Sequence, residues 1–113
     1  MTNPLDIEDL KARASEVSGL LKALSHPNRL VIACDLTGGE KCVSDIETDT
    51  GVPQPHLSRE LARLREAGLV SDRRASKNVY YSIADQRLAA LIDALCDAFG
   101  PQTPARGSKR RKE

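Results

Sequence analysis

The sequence predicts a mainly α domain with one small β-hairpin. Apolar residues recur at helical spacing through most of the 113 residues, which is the primary sign of amphipathic helices. One segment, residues 69–83, changes to the alternation that is typical of short strands. Glycine or proline stands at most junctions between these segments, and the length suits a single domain with one modest core.

The first predicted helix runs from Asp6 to Leu24, and Asp6 is a suitable N-cap. Its apolar residues form one stripe, made of Leu10, Ala14, Val17, Leu21 and Leu24. Such a stripe packs on the core of its own domain or, on a terminal helix, on a partner chain.

The second predicted helix follows Pro27, a residue suited to the first turn. The segment Asn28 to Leu36 is apolar on most sides and is therefore expected to be buried, and Gly38 and Gly39 end it. Its apolar side chains are Leu30, Val31, Ile32, Ala33, Cys34 and Leu36.

A pair of helices is predicted next. Ser44 and Glu47 match a capping box, so we expect a short helix from about Asp45 to Thr50, ended by Gly51. After a tight connection, Pro55 is placed to be the first residue of a second helix, residues 54–67, with Leu57, Leu61 and Leu64 as its apolar stripe. These proportions are those of a helix-turn-helix.

Two strands, Leu69 to Ala75 and Asn78 to Ile83, are predicted around a turn at Ser76 and Lys77. A hairpin directly after a helix-turn-helix is a wing (residues 69–83), and this wing carries Arg73, Arg74 and Lys77. The predicted fold class is therefore a winged helix-turn-helix.

A last helix is predicted after Asp85, which caps it, and Gly100 ends it. Its stripe consists of Leu88, Leu91, Ile92, Leu95 and Phe99. Residues 1–100 are thus predicted to form the domain. Residues 101–113 are polar, basic and without periodicity, and they are predicted to be a disordered basic tail that either attracts phosphate or keeps the protein soluble.

The net charge of +1 conceals a segregation of charge along the chain. Residues 1–53 carry a net −4 and residues 81–100 a net −2, whereas residues 54–80 carry +3 and the tail +4. The internal basic zone is either a solvated face or a phosphate-binding surface. This basic zone coincides with the predicted helix at residues 54–67 and with the wing. A phosphate-binding surface is therefore the more specific of the two interpretations.

Several classes of protein do not fit this sequence. No apolar run approaches the length of a membrane span, and the N-terminus has no secretory signal pattern. Three cysteines are too few for a disulfide scaffold, which favours a cytoplasmic protein with free thiols. No paired nucleophile and base and no phosphate loop point to an enzyme, and no metal site or cofactor is predicted.

Four segments in order resemble the arsenic-repressor (ArsR/SmtB) family, over about residues 10 to 99. They are residues 24–30 (LSHPNRL), 54–58 (QPHLS), 64–70 (LREAGLV) and 79–83 (VYYSI). The resemblance implies a winged-helix homodimer, joined through its first and last helices, that represses an operator. It also implies that the helix from Gln54 enters the major groove of double-stranded DNA while the wing contacts the adjacent backbone.

The residues suit this role. Gln is able to read adenine and Arg to read guanine or bind phosphate, whereas the wing cations suit sequence-independent phosphate contacts. His56 is alternatively a polar turn residue, and Arg63 alternatively pairs with Glu60 or Glu66. The family often has Gln or His where Arg59 and Glu60 stand, which leaves the operator sequence open. The candidate DNA-binding residues are Gln54, His56, Ser58, Arg59, Arg63, Arg73, Arg74 and Lys77.

Members of this family usually respond to a metal, a metalloid, reactive sulfur species or an oxidant. The family's zinc and arsenite ligand patterns are incomplete here, since one Cys, Cys42, remains of the three that bind arsenite. Cys34 matches the first thiol of the persulfide- and oxidant-sensing branch, and Cys96 lies one helical turn before the second. Three alternatives stay open: a Cys34–Cys96 switch, metalloid binding by Cys42 with another thiol, and no thiol sensing, as in the rhizobial nodulation regulator that the last helix also resembles. A winged helix that binds a protein partner is a further alternative to the repressor.

Overall fold

The computed structural model describes residues 6–100, so the predicted disordered tail lies outside the described residues. This part of the chain folds into five helices and three strands, as the predicted fold class requires. In chain order these are α1 (Ile7–Ala23), α2 (Pro27–Leu36), β1 (Lys41–Cys42), α3 (Val43–Thr50), α4 (His56–Glu66), β2 (Val70–Ala75), β3 (Asn78–Ile83) and α5 (Gln86–Phe99).

The core lies where α2, α3, α4 and α5 meet the inner face of the sheet. The leucine stripe of α4 is fully buried, and so are the inward residues of α2 and α5. This burial is what holds the helix pair against the rest of the domain. The largest fully buried side chains are Ile32, Leu36, Ile46, Leu57, Leu61, Leu64, Leu88 and Ile92.

The ends of α3 and α4 are set by glycines in the left-handed conformation. Gly51 (φ 75°) follows α3, and Gly68 (φ 79°) follows α4, as predicted. At the end of α4, the N–H of Gly68 donates to the carbonyl of Arg65 and the N–H of Leu69 to that of Leu64. This is a Schellman motif, and it turns the chain directly into the wing.

The wing is a two-stranded antiparallel hairpin in which Ala75 pairs with Asn78 around the predicted turn at Ser76 and Lys77. The sheet contains a third strand that the sequence did not predict. Lys41 and Cys42 pair with Tyr81 and Tyr80, which gives the sheet order β1-β3-β2. Two residues are too few to show an alternating pattern, so only the tertiary pairing defines β1.

The predicted capping box is wrong. Helix α3 begins at Val43 with Cys42 as N-cap, so Ser44 already lies in the first turn. The reason is that Cys42 is held in β1 and the chain enters the helix immediately after it. The Ser44 hydroxyl instead lies 3.3 Å from the Cys42 sulfur.

The predicted start of the helix at residues 54–67 is also wrong by about one residue. Pro55 is the N-cap rather than the first helical residue, and α4 begins at His56. The Pro55 carbonyl accepts the N–H of Arg59, while Gln54 lies in the preceding turn. The helix ends at Glu66, with Ala67 as C-cap.

Helix α1 contributes no buried residue, although its bounds agree with the prediction. Its stripe residues Leu10, Val17 and Leu21 are 42–52% exposed, and of the predicted stripe only Leu24, the C-cap of α1, is buried in the core of the domain. The expectation that the apolar side chains of α2 are all buried is wrong for Val31, which is 44% exposed. At the other end of the chain, Phe99 of α5 is 82% exposed.

Candidate DNA interface and thiol pocket

The face of α4 opposite its leucine stripe is polar and exposed. Packing of Leu57, Leu61 and Leu64 into the core turns the other side of the helix to solvent, as the periodicity of the helix requires. This face and the neighbouring wing present all eight of the candidate DNA-binding residues as exposed side chains: Gln54, His56, Ser58, Arg59, Arg63, Arg73, Arg74 and Lys77.

Short hydrogen bonds order the start of this surface. The Gln54 side-chain oxygen accepts the backbone N–H of Ser58 at 3.0 Å and the Ser58 hydroxyl at 2.8 Å. One of the free N–H groups of the first turn is therefore occupied. The Arg59 guanidinium contacts Nδ1 of His56 one turn away, so these two side chains are placed together.

The wing cations differ in their surroundings. Arg73 donates to both carboxylate oxygens of Glu40, at 2.7 and 2.8 Å, and its guanidinium lies 4.7 Å from the centre of the Tyr80 ring. The guanidinium lowers the pKa of the Glu40 carboxyl. By contrast, Arg74 and Lys77 form no ion pair within residues 6–100. Arg73 is thus held, whereas the other two are available for an anion.

Arg63 does not pair with Glu60, because Glu60 points the other way. Its side chain is buried on the leucine face of α4 and accepts a hydrogen bond of 2.9 Å from Arg29 of α2. This contact was missed, although a signal was present. Residue 60 lies three residues after Leu57 and directly before Leu61. At helical spacing, this position falls inside the apolar stripe.

A second missed cluster joins α2, β1 and α3. The Lys41 ammonium donates to Asp35 at 2.9 Å and to Asp49 at 2.6 Å. Burial raises the pKa of the Asp35 carboxyl, and one of its oxygens, Oδ2, is buried without a hydrogen-bond partner. These residues are separated along the chain, so no spacing pattern predicts the cluster.

Cys34 of α2 and Cys96 of α5 line one pocket of about 360 Å³. The rest of its lining is apolar except for the backbone, and consists of Leu30, Leu95, Phe99 and Gly100. Burial raises the pKa of the Cys34 thiol above its ordinary value, and the neighbouring Cys96 thiol raises it further. The structure therefore brings together the two thiols that the sequence analysis singled out, which are 62 positions apart.

Cys42 lies elsewhere, in β1 at the start of α3, and is not part of the lining of that pocket. Among residues 6–100, no three His, Cys, Asp or Glu side chains gather into a group that suits a metal ion. None of the helices in this part of the chain is long and apolar enough to cross a membrane.

A helix-turn-helix followed by a wing, with the polar face of its second helix exposed, defines the class of winged-helix DNA-binding transcriptional regulators. Residues 26–72 match the family model of bacterial regulatory proteins of the arsR family. The chain is 44% identical over 95 residues to the biofilm growth-associated repressor of Xylella fastidiosa, covering 84% of this chain and 83% of that protein. The chain belongs to the ArsR family.

Solved structures agree with this assignment. The crystal structure of the transcriptional repressor BigR from Xylella fastidiosa has a TM-score of 0.83 at 43% identity, covering 86% of this chain and 99% of that one. A homodimeric winged helix-turn-helix DNA-binding domain from Mycobacterium bovis, a possible ArsR-family regulator, has a TM-score of 0.67 at 35% identity, covering 80% and 84%. The protein is accordingly a winged-helix regulator of transcription, from a family of regulators rather than of enzymes.

Proposed function

We propose that this protein is a repressor that binds an operator as a homodimer, with α4 in the major groove and the wing on the adjacent backbone. The observation that carries the proposal is the shared exposure of eight polar or basic side chains on α4, the turn before it and the wing. Acidic residues dominate the rest of the domain, so the basic zone at residues 54–80 stands out in an otherwise negative domain. DNA attracts such a zone by releasing counterions.

Different parts of this surface take different roles. Arg59, in the first turns of α4, and Gln54, in the turn before it, are the proposed contacts with base edges, and hydrogen bonds with His56 and Ser58 order them in the free protein. Arg63 lies further along the exposed face of α4. Arg74 and Lys77 of the wing, free of ion pairs in residues 6–100, suit sequence-independent contacts with phosphate, and Arg73 joins them once Glu40 releases it.

A second copy of the chain accounts for the exposed apolar stripe of α1. A single protomer leaves Ile7, Leu10, Val17 and Leu21 in water, and Phe99 on α5 as well. Exposed apolar surface of this extent is typical of an interface. We propose that α1 and α5 pack on their counterparts in a partner, which gives the two α4 helices the twofold arrangement that a palindromic operator requires.

A gel shift with promoter DNA from the protein's own locus tests this proposal. We expect preferential binding over random duplex and an affinity that falls steeply between 50 and 200 mM salt. Binding that is insensitive to salt, or equal for promoter and random DNA, would instead favour a winged helix that binds a protein partner. Deleting residues 101–113 is expected to weaken binding to both duplexes equally, because a basic tail attracts phosphate without reading sequence.

We further propose that Cys34 and Cys96 release the operator when they are joined. The support is their position in one pocket between α2, which packs against α3 and α4, and α5, which belongs to the proposed dimer interface. With a hydroperoxide, two thiols lose two protons and two electrons to form a disulfide, and the reagent becomes an alcohol and water. With a persulfide, Cys34 takes one sulfur and releases a thiol, and attack by Cys96 then forms the disulfide and releases hydrogen sulfide.

Treated and reduced protein compared in the same gel shift test this switch. We expect operator release after treatment with a persulfide or a hydroperoxide, a linked Cys34–Cys96 peptide by mass spectrometry, and no release for Cys34→Ser or Cys96→Ser. Cys42→Ser is the matched control and should respond like the wild type, since Cys42 lies outside the pocket. If arsenite releases the operator and Cys42→Ser abolishes that release, the metalloid alternative is correct. Binding that no reagent changes would indicate a regulator without thiol sensing.

A further inference from the structure

Glu60 is the one buried charged side chain among residues 6–100, with 4% of its surface exposed. It lies on α4, the helix assigned to DNA, but on the inward side beside Leu57, Leu61 and Leu64. A carboxylate in such a position is costly unless it is paired and hydrogen-bonded. The packing of α4 therefore depends on the residue that pairs with Glu60.

That partner is Arg29 of α2, and Arg29 has two contacts that point in different directions. Its Nη1 atom donates to Glu60 Oε1 at 2.9 Å, while its Nε atom donates to the backbone carbonyl of Ala23 at 2.5 Å. Ala23 is the last residue of α1. One planar guanidinium thus joins the end of α1 to the middle of α4.

The surroundings restrict this pair further. His26, the N-cap of α2, has its Nε2 atom 3.9 Å from the second Glu60 oxygen, while its Nδ1 atom accepts the N–H of Asn28. The side chains of Arg29 and Glu60 are 14% and 6% exposed, so water does not substitute for either partner. Hydrogen bonds of this kind depend on direction, whereas the leucine contacts around them do not.

We propose that Arg29 and Glu60 are positioning residues that fix the orientation of α4 relative to α1 and thereby set the discrimination between operator and other DNA. The inference rests on the proposed function, in which α1 joins the two protomers and α4 reads bases. With α4 tied to α1, the two α4 helices of a dimer are held at one separation and one angle. Base readout requires that geometry, but attraction to phosphate does not.

The substitution pair Arg29→Met with Glu60→Leu tests this idea. It removes one positive and one negative charge, so the net charge and every exposed side chain of α4 and the wing stay as they are. Apolar replacements of similar volume are commonly tolerated at buried ion pairs, so the variant should fold. Circular dichroism and size-exclusion chromatography establish that it is folded and has the wild-type oligomeric state.

The readout is the ratio of two affinities, measured at the same salt concentration. One is for a duplex that the wild type selects from a randomised pool, and the other is for random duplex. We expect the double variant to keep the wild-type affinity for random duplex, whereas its affinity for the selected duplex should fall at least tenfold. A ratio equal to that of the wild type overturns the inference. If the wild type selects no sequence at all, the proposed function itself fails.

Two further variants control the experiment. Glu16→Leu with Arg87→Met removes an exposed ion pair between α1 and the start of α5, together with the pair of Arg87 with Asp85, but no contact of Glu60, and should keep the wild-type ratio. Arg29→Lys keeps a cation beside Glu60 but not the guanidinium that reaches both Glu60 and Ala23, so its ratio should fall. This variant decides the outcome if the double variant does not fold. A wild-type ratio for Arg29→Lys in that case overturns the inference.

Discussion

Arg73 in the wing forms a bidentate ion pair with Glu40, which lies 33 positions earlier and directly precedes β1. The same guanidinium lies over the ring of Tyr80. In the proposed function, Glu40 therefore competes with DNA for a cation that was predicted to bind phosphate. The partial exposure of both side chains means that water and salt weaken the pair, so an incoming phosphate is able to replace it.

We predict that Glu40→Gln strengthens binding to random duplex severalfold. The substitution frees Arg73 and removes a negative charge close to the proposed DNA contact. The slope of log affinity against log salt concentration should therefore become steeper by about one unit, which corresponds to one more released ion. The matched control is Glu16→Gln, which also neutralises one member of an exposed ion pair but lies on α1. An equal increase for both variants would mean that net charge alone, and not the release of Arg73, is responsible.

Arg59→Ala and Arg74→Ala should have different effects on DNA binding. If Arg59 reads a base, its loss weakens binding to the selected duplex by about 1–3 kcal/mol and relaxes preference at one position. Loss of Arg74 should weaken binding to all sequences alike and reduce the salt dependence by about one ion. Fluorescence anisotropy at several salt concentrations measures both. Equal effects of Arg59→Ala on the selected and random duplexes would show that Arg59 contacts only phosphate.

Leu21→Asp should dissociate the proposed homodimer, because it introduces a charge into the exposed apolar stripe of α1. Light scattering coupled to size-exclusion chromatography measures the mass. Lys22→Asp changes the neighbouring side chain, which points away from the stripe, and should leave the mass unchanged. A monomeric wild type, or equal behaviour of both variants, contradicts the proposed interface.

Alkylation of Cys34 should be slow at neutral pH and should accelerate by about tenfold for each unit of pH, since only the thiolate reacts. Because burial and Cys96 raise the pKa of Cys34, this increase should continue beyond pH 9.0 in the folded protein. In urea the burial is lost, so the pH at the midpoint of the alkylation profile should fall. The raised pKa also affects folding. Because the folded state holds the proton more tightly, its stability begins to fall as the pH rises past the pKa of the unfolded thiol and falls further through the raised pKa of the folded thiol. Mass spectrometry of iodoacetamide-labelled peptides measures the rates, and identical profiles in the folded and unfolded protein would contradict the prediction.

Arg29→Met and Glu60→Leu should each lower the free energy of unfolding by about 3–5 kcal/mol, because each leaves a buried charge without its partner. The double variant should recover most of this loss, since no unpaired charge remains. Urea denaturation of the four proteins completes a double-mutant cycle. Additive losses would show that the two side chains do not act as a pair.

Much of the fold was predictable because local physics determines it. Leu57, Leu61 and Leu64 recur at helical spacing, and Gly51 and Gly68 end their helices in a conformation that other residues avoid. The start of α3 was predicted wrongly for a non-local reason. Ser44 has the residue type of an N-cap, but the pairing of Cys42 with Tyr80 fixes where the helix begins.

The candidate site divides in the same way. Periodicity alone turned Ser58, Arg59 and Arg63 outward on α4, and the structure has them exposed there. Periodicity did not identify the partner of Glu60, and the sequence analysis considered Glu60 only as a partner of Arg63. The partner is Arg29, 31 positions away, and such a pair follows only from the packing of α2 against α4.

The sequence by itself therefore determined the class of fold, the helix proposed to face DNA and the two thiols worth testing, since each depends on residue type and spacing over a few turns. Only the tertiary structure decided that Cys34 and Cys96 share a pocket, that Glu40 holds Arg73, and that Arg29 joins α1 to α4. Each of these contacts joins segments that are distant along the chain. Hydrophobic burial brings the segments together, and the direction of each hydrogen bond then selects which side chains meet.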